Sequence, residues 1–310
     1  MGTPSRKSGF VNANGIRLHY LDWEGSGTPL LFLTGMGCSV YIFDKFAPRF
    51  VDKFHVLAMD RRGHGDSDYP ETGYDPETLT EDLRQFLDAL KIEKVILAGH
   101  SMAYIELCHF AALHPQRVLK LIFLDAAYDN SSPETRAVMA KNPLGKINPP
   151  WPENDQTTME EYIAMVRRGF PAMNVIWGPA MDEQTRRTLK TNPDGKVADK
   201  MTEAIFKAIQ ATFDSYTPEY AAIRSPILSF FAIQDGSFFL SSETMTKEQQ
   251  AEILDYFHNL RMPDQRRLIE QFRRELPHAT IVEIPHGHHY CFIKHQEIVY
   301  NGMRKFLSEG

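Results

Sequence analysis

Eleven residues, Lys94-Val-Ile-Leu-Ala-Gly-His-Ser-Met-Ala-Tyr104, constrain this chain more than any other stretch. Val95, Ile96, Leu97 and Ala98 form a short continuous apolar run, the pattern of a strand buried on both faces. Gly99-His100-Ser101-Met102-Ala103 follows at once, and Ile105, Leu107, Cys108, Phe110 and Ala111 then mark one face of a helix. A serine at the apex between strand and helix is the setting of a G-x-S-x-G nucleophile elbow. The turn needs small residues two before and two after the serine, because longer side chains there meet neighbouring backbone. Gly99 and Ala103 meet that need, with alanine in place of the second glycine. A serine hydroxyl attacks only when a base takes its proton. The helix behind Ser101 would supply backbone N–H groups and the positive end of its dipole to negative charge developing nearby. The structural alternative is a buried serine that caps a helix.

Around this stretch the chain alternates strand and helix. Residues 9–21 predict a hairpin turning at Asn12-Ala-Asn-Gly15, with strict alternation in Ile16–Leu21. Leu30–Thr34 and Phe54–Met59 are buried strands, separated by helical spacing from Ser39 to Phe50. A helix starts at Tyr74-Asp-Pro-Glu and runs through Leu90, and Val118–Leu124 is a further strand ending at Asp125. Such alternation implies a parallel sheet covered by helices on both faces. The rhythm breaks over 130–224, which has no convincing buried strand and is rich in Met and aromatics. Pro226–Ile233 and Thr280–Pro285 resume the sheet, with two amphipathic segments (247–260 and 263–276) between them. A last helix covers about 296–307.

With 310 residues, 43% apolar and 24% charged, the chain can bury a large α/β core with an insertion. A net charge of −6 gives no reason to expect nucleic acid or an anionic membrane as partner. No apolar run approaches a bilayer's thickness. Met1-Gly-Thr-Pro-Ser lacks the apolar region of a secretory signal, and Arg6 does not fit a myristoylation pattern. Cys38, Cys108 and Cys291 cannot make a closed disulfide framework. The expectation is a cytoplasmic protein. No G-x-G-x-x-G follows the first strands and no G-x-x-x-x-G-K-[ST] occurs, so no cofactor is expected.

Several motifs, taken in order, resemble the α/β-hydrolase fold. They are Leu31-Phe-Leu-Thr-Gly-Met36, Asp60-Arg-Arg-Gly-His-Gly-Asp-Ser67, the Ser101 turn, Ser225–Leu228 leading to Asp235, and Ile284-Pro285 leading to His289. The resemblance covers the chain except about 130–224 and 236–275. It implies a mostly parallel eight-stranded sheet with helices on both faces, a hydrolase core of 1–129 and 225–310, and a helical cap at 130–224. It also implies a Ser–acid–His order along the chain. In Pro285-His-Gly-His-His-Tyr290, the family register selects His289 as base, with Tyr290 as the following aromatic and His288 where glycine is usual. His286 and His288 are then loop residues, and no carboxylate or cysteine stands at metal-ligand spacing from the three. The same register selects Asp235 as the acid, against the reading of a turn aspartate before Gly236. Asp125 and Asp129 are the fallback acids. Backbone N–H groups of Met36 and Met102 would form the oxyanion hole, although Thr34 stands where the family usually has histidine. His64 fits a packing role.

The pocket is expected to include Gly35, His100, Tyr104, Trp177 and Tyr290. Tyr104 is unusual, because relatives carry a small residue three positions after the serine, and it either shapes or obstructs the pocket. Met159, Met165, Phe170, Met173, Trp177 and Met181 suggest an apolar site, or simply the core of the cap. The aspartate nucleophile of haloalkane dehalogenases and epoxide hydrolases is absent, since the turn holds Ser101. The expected activity is carboxylesterase-like hydrolysis through an acyl-enzyme. The alternatives are C–C, amide or lactone hydrolysis with the same triad, or a receptor-like binding protein on the same scaffold. The expected partner is a small acyl substrate, and a homodimer is left open.

Overall fold

Asn14 and Gly15, with φ of 47° and 79°, make the tight turn that joins β1 (Lys7–Ala13) to β2 (Ile16–Asp22). The computed structural model describes residues 6–309, so the absence of a signal or lipidation pattern at Met1–Ser5 lies outside the described residues. β3 (Thr28–Leu33) and β4 (Phe54–Met59) follow, then α1 (Pro76–Ala89), β5 (Val95–His100), α2 (Tyr104–Leu113) and β6 (Val118–Leu124). β9 (Ile227–Ala232) and β10 (Thr280–Ile284) complete an eight-stranded sheet in the order β1-β2-β4-β3-β5-β6-β9-β10. β1 and β2 pair antiparallel, as does β2 with β4, and all other neighbours are parallel. The parallel strands are continuous apolar runs because both faces are covered.

Period-two alternation divides the core. Leu31, Leu33, Val95 and Leu97 face the layer that contains α1, α2 and α10 (Met262–Glu275). Leu30, Phe32, Ile96 and Ala98 face the layer with α11 (Cys291–Lys294) and α12 (Gln296–Ser308), where Phe32, Phe43, Phe46, Phe50 and Phe292 pack ring on ring. The helix expected over 39–50 is instead two short 3-10 turns, Val40–Phe43 and Ala47–Phe50. Pro48 lacks the N–H that a continuous helix would bond to Asp44, so the helix restarts there.

The chain between β6 and β9 folds into α3 (Pro133–Met139), α4 (Leu144–Ile147), α5 (Met159–Gly169), α6 (Pro171–Asn174), α7 (Pro179–Thr188) and α8 (Glu203–Ser215). A small hairpin, β7 (Leu189–Thr191) with β8 (Val197–Asp199), interrupts them. Its three-residue strands are too short to leave a periodicity signal. The connection from β9 to β10 contains α9 (Lys247–Tyr256), which runs through a π turn at Phe257–Arg261 into α10. Pro263 does not end the helical path: it stands in the first turn of α10, and the π turn absorbs its missing donor. Among the described residues no helix is long and apolar enough to cross a membrane.

Candidate active site

β5 is buried along its whole length and delivers Ser101 at its end with φ of 54°, a left-handed conformation that side chains rarely adopt. A Cβ on Gly99 would stand 2.9 Å from the Ala103 Cβ and from Leu107, so the turn closes only with glycine there. A Cβ on Gly35 would stand 3.0 Å from the Ser101 Cβ and 2.9 Å from His100 Nδ1. That contact lays the Thr34–Gly37 loop directly beside Ser101. Arg61, ion-paired to Glu106 at 3.0 Å with both side chains buried, donates to the Thr34 carbonyl and anchors the same loop. Met102 stands second in the helical turn, where backbone N–H groups lack intrahelical acceptors. Met102 follows Ser101 directly, and Met36 follows Gly35 in the loop beside it.

His289 does not pair with Asp235. Its Nδ1 lies 2.7 Å from Oδ2 of Asp125, which β6 carries on its end. The Asp125 carboxylate is 1% exposed, and its Oδ1 accepts from the Ala232 N–H at 2.8 Å and the Tyr128 hydroxyl at 2.9 Å. Burial, reinforced by the adjacent carboxylate, pushes the Tyr128 pKa well up, which keeps that hydroxyl a donor. Gln265 on α10 donates to the Ala232 carbonyl at 3.0 Å and locks the end of β9. Asp235, the acid expected from sequence, folds back into its own turn. Ser237 donates to it through N–H (3.0 Å) and Oγ (2.7 Å), and exposed His286 pairs with it at 2.5 Å. Burial alone would raise the Asp235 pKa, but the Ser237 and His286 hydrogen bonds outweigh it and hold the carboxyl at about 2. Asp129, the other fallback, accepts from Ser131.

Gly287 explains how His289 reaches β6 across β9. A Cβ there would stand 2.5 Å from Ala232 Cα and 2.7 Å from the Ile284 carbonyl, both backbone. Without one, the loop presses onto the end of β9, where the Gly287 N–H bonds the Ile233 carbonyl at 2.8 Å. The two histidines flanking the base in space have fixed jobs. His100 faces the His289 carbonyl through Nε2 at 3.1 Å, and burial beside His289 drives its pKa well down, keeping it neutral. His288 accepts from the Tyr290 N–H at Nδ1 and faces the Ala172 carbonyl at Nε2, and burial lowers its pKa to about 4. His64 is buried away from this cluster, with Nδ1 on the Arg62 carbonyl. All three cysteines are free and buried.

Ser101, Asp125 and His289 line one cavity of about 330 Å³. No partner occupies Ser101 Oγ or His289 Nε2 among the described residues, so both are available to a ligand. Phe213, Phe238, Phe239, Phe257, Met139 and Met173 make the walls mostly apolar. Tyr104 joins them without obstructing the space: it is 1% exposed and packs between Phe213 and Tyr216, with its hydroxyl on the Phe213 carbonyl. Tyr290 also lines the cavity, whereas Gly35, His100 and Trp177 do not. Gly35 and His100 sit one layer back, behind Ser101 and His289. Trp177 packs with Ile176 and Met181 against the α12-side core. Of the apolar residues singled out between 130 and 224, Met173 alone reaches the cavity; Phe170 stacks on Trp151 instead. Sequence reasoning missed Asn130, Phe238, Phe257 and Arg261, because neither a loop nor a helical turn carries a mark of which cavity it borders.

A model of the α/β-hydrolase fold family matches residues 28–169. Over 118 residues the chain is 37% identical to a putative non-heme haloperoxidase of Mycobacterium phage D29, covering 38% of this chain and 42% of that protein. Over 112 residues it is 38% identical to a soluble epoxide hydrolase of Corynebacterium sp. (strain C12), covering 36% of this chain and 39% of that one. The alignments thus span about two fifths of these relatives' length. Among solved structures, E-2-(acetamidomethylene)succinate hydrolase superposes with a TM-score of 0.71 over 98% of this chain and 100% of that one, at 21% identity. At that identity the likeness is one of fold.

Proposed function

We propose that this chain, a member of the α/β-hydrolase superfamily, is a serine hydrolase that cleaves a carboxylic ester through an acyl-enzyme. The observation that carries the reading is the 2.7 Å pair of His289 and buried Asp125 in the cavity that holds Ser101 at its left-handed turn. Asp125 accepts from Nδ1–H, which leaves Nε2 unprotonated and able to take the Ser101 proton as Oγ attacks the ester carbonyl. The carbonyl oxygen becomes an oxyanion and takes hydrogen bonds from the Met36 and Met102 N–H groups. In comparable sites each such donor is worth about 10²–10³ in rate. His289 then returns the proton to the departing alcohol, leaving an ester between the acyl group and Ser101. Water, deprotonated by His289, attacks that ester; Ser101 recovers its proton and the carboxylic acid leaves. The helices between β6 and β9 form the cap that closes the cavity. The strained left-handed turn that presents Ser101 to the open cavity favours turnover over passive binding.

A fluorophosphonate probe tests this reading. The expected result is covalent labelling of the wild type, located at Ser101 by peptide mapping and abolished in Ser101→Ala. Hydrolysis of short p-nitrophenyl esters should be lost in the same variant. Labelling elsewhere, or ester turnover that survives Ser101→Ala, would overturn the assignment.

A further inference from the structure

Among the described residues, Arg261 is the one lysine or arginine in the mostly apolar wall of the cavity. Arg261 belongs to the π turn between α9 and α10, a local distortion that concentrates at functional sites. The turn brings Tyr256, Phe257 and Arg261 to the cavity together. Only one guanidinium nitrogen of Arg261 has a hydrogen-bond partner among the described residues, NH1 at a long 3.3 Å from Oδ2 of Asp264. Asp264 is itself committed elsewhere, since its Oδ1 accepts from Arg267 at 2.7 Å and from Thr135 at 3.2 Å. Two guanidinium groups thus share one carboxylate, which leaves a net positive charge. The Arg267 side chain is 40% exposed, whereas the Arg261 side chain is only 12% exposed. The uncompensated charge therefore sits on the cavity side.

The two carboxylates of the cavity do not neutralise it. Asp125 is held by His289, Tyr128 and the Ala232 N–H, and Asp235 by Ser237 and His286. The Arg261 guanidinium lies 5.7 Å from the Tyr128 ring, which holds it near the Asp125 end of the site. The Tyr256 hydroxyl is buried with no partner among the described residues, and it lies within electrostatic reach of Arg261. A buried arginine with unused donors is costly unless a ligand supplies acceptors. Its planar fork matches a carboxylate through two parallel hydrogen bonds.

We infer that Arg261 binds a carboxylate on the acyl part of the substrate, so that the preferred substrates are half-esters of short dicarboxylic acids. This rests on the serine-hydrolase reading above. A neutral acyl chain of equal length would leave the Arg261 donors unpaired, and sites built on a polar contact reject analogues that lack it.

The test compares p-nitrophenyl hemisuccinate, hemiglutarate and hemiadipate with the butyrate, valerate and hexanoate esters, and reads the ratio of kcat/KM within each protein. The wild type should favour the best half-ester over its neutral counterpart by at least about tenfold. Arg261→Gln should lower that ratio at least about tenfold, and Arg261→Lys, which keeps the charge without the fork, by less. Because Asp264 loses a partner in Arg261→Gln, thermal unfolding is followed alongside, and Arg261→Lys decides if the glutamine variant does not fold. Equal ratios in wild type and both variants, or a wild-type preference for neutral esters, would overturn the inference. Calorimetry of glutarate with Ser101→Ala, with and without Arg261→Gln, gives a readout free of turnover. Binding that depends on Arg261 would sustain carboxylate recognition even if Ser101 proved inert, and no binding would refute it.

Discussion

Exchanging each of the two candidate acids for asparagine separates them cleanly. In Asp125→Asn the amide oxygen can keep the two donors that Oδ1 now accepts, the Ala232 N–H at 2.8 Å and the Tyr128 hydroxyl at 2.9 Å. The amide NH₂ then replaces Oδ2 opposite His289 Nδ1, at 2.7 Å. A donor would face the Nδ1–H donor, so the imidazole must move its proton to Nε2. In the proposed mechanism that nitrogen takes the Ser101 proton, and once protonated it can no longer do so. The fold should survive, because two of the three groups meeting at this carboxylate, the Ala232 N–H and the Tyr128 hydroxyl, keep their acceptor. Loss of the correct tautomer costs on the order of 10⁴ in kcat where this has been examined in serine enzymes, equivalent to about 5–6 kcal/mol of barrier. Asp235→Asn should behave otherwise. Ser237 can still donate to the amide oxygen, and only an exposed histidine loses its charged partner. Such surface changes are worth roughly 0.5 kcal/mol or less, about twofold in rate. The assay is kcat for a p-nitrophenyl ester together with the rate of fluorophosphonate labelling, with circular dichroism melts to confirm folding. A loss of order 10⁴ in Asp235→Asn with near-normal Asp125→Asn would refute the pairing.

Two further outcomes follow from the loop that carries His289. Gly287→Ala forces a Cβ to within 2.5 Å of the Ala232 backbone, so it should cost about 1–3 kcal/mol of stability and slow turnover by moving His289 off Asp125; denaturant unfolding and kcat measure the two effects. His288 is neutral in the folded protein, its pKa lowered to about 4 by burial, whereas the unfolded chain takes up its proton near 6.5. More protons are bound unfolded than folded between these values, so stability falls as pH drops from about 6.5 to about 4, by up to about 3 kcal/mol from this residue. In His288→Gln that slope should flatten, as read from urea midpoints at pH 7, 5.5 and 4.5.

Ser101 was legible from the sequence because everything that defines its turn lies within a few residues. The apolar run of β5, Gly99 before the serine, Ala103 after it and the start of α2 are all local. The parallel sheet was legible for a related reason: strands buried on both faces must be apolar throughout, and that pattern is independent of what covers them. The acid was not legible. Asp125 and Asp235 each follow a buried strand, and no local feature distinguishes a carboxylate offered to a distant histidine from one folded onto its own turn. The decision belongs to β9, whose end presses against Gly287, and to Ser237, which occupies Asp235. Arg261 is the clearest case of a property absent from the linear chain. It falls between the two amphipathic segments read from the sequence, and only the π turn and the packing of Asp264 between two arginines place an unbalanced positive charge in the cavity wall. Short-range sterics therefore determined the nucleophile, while long-range packing, which sets the distance between groups far apart in the chain, decided the acid and the charge of the pocket.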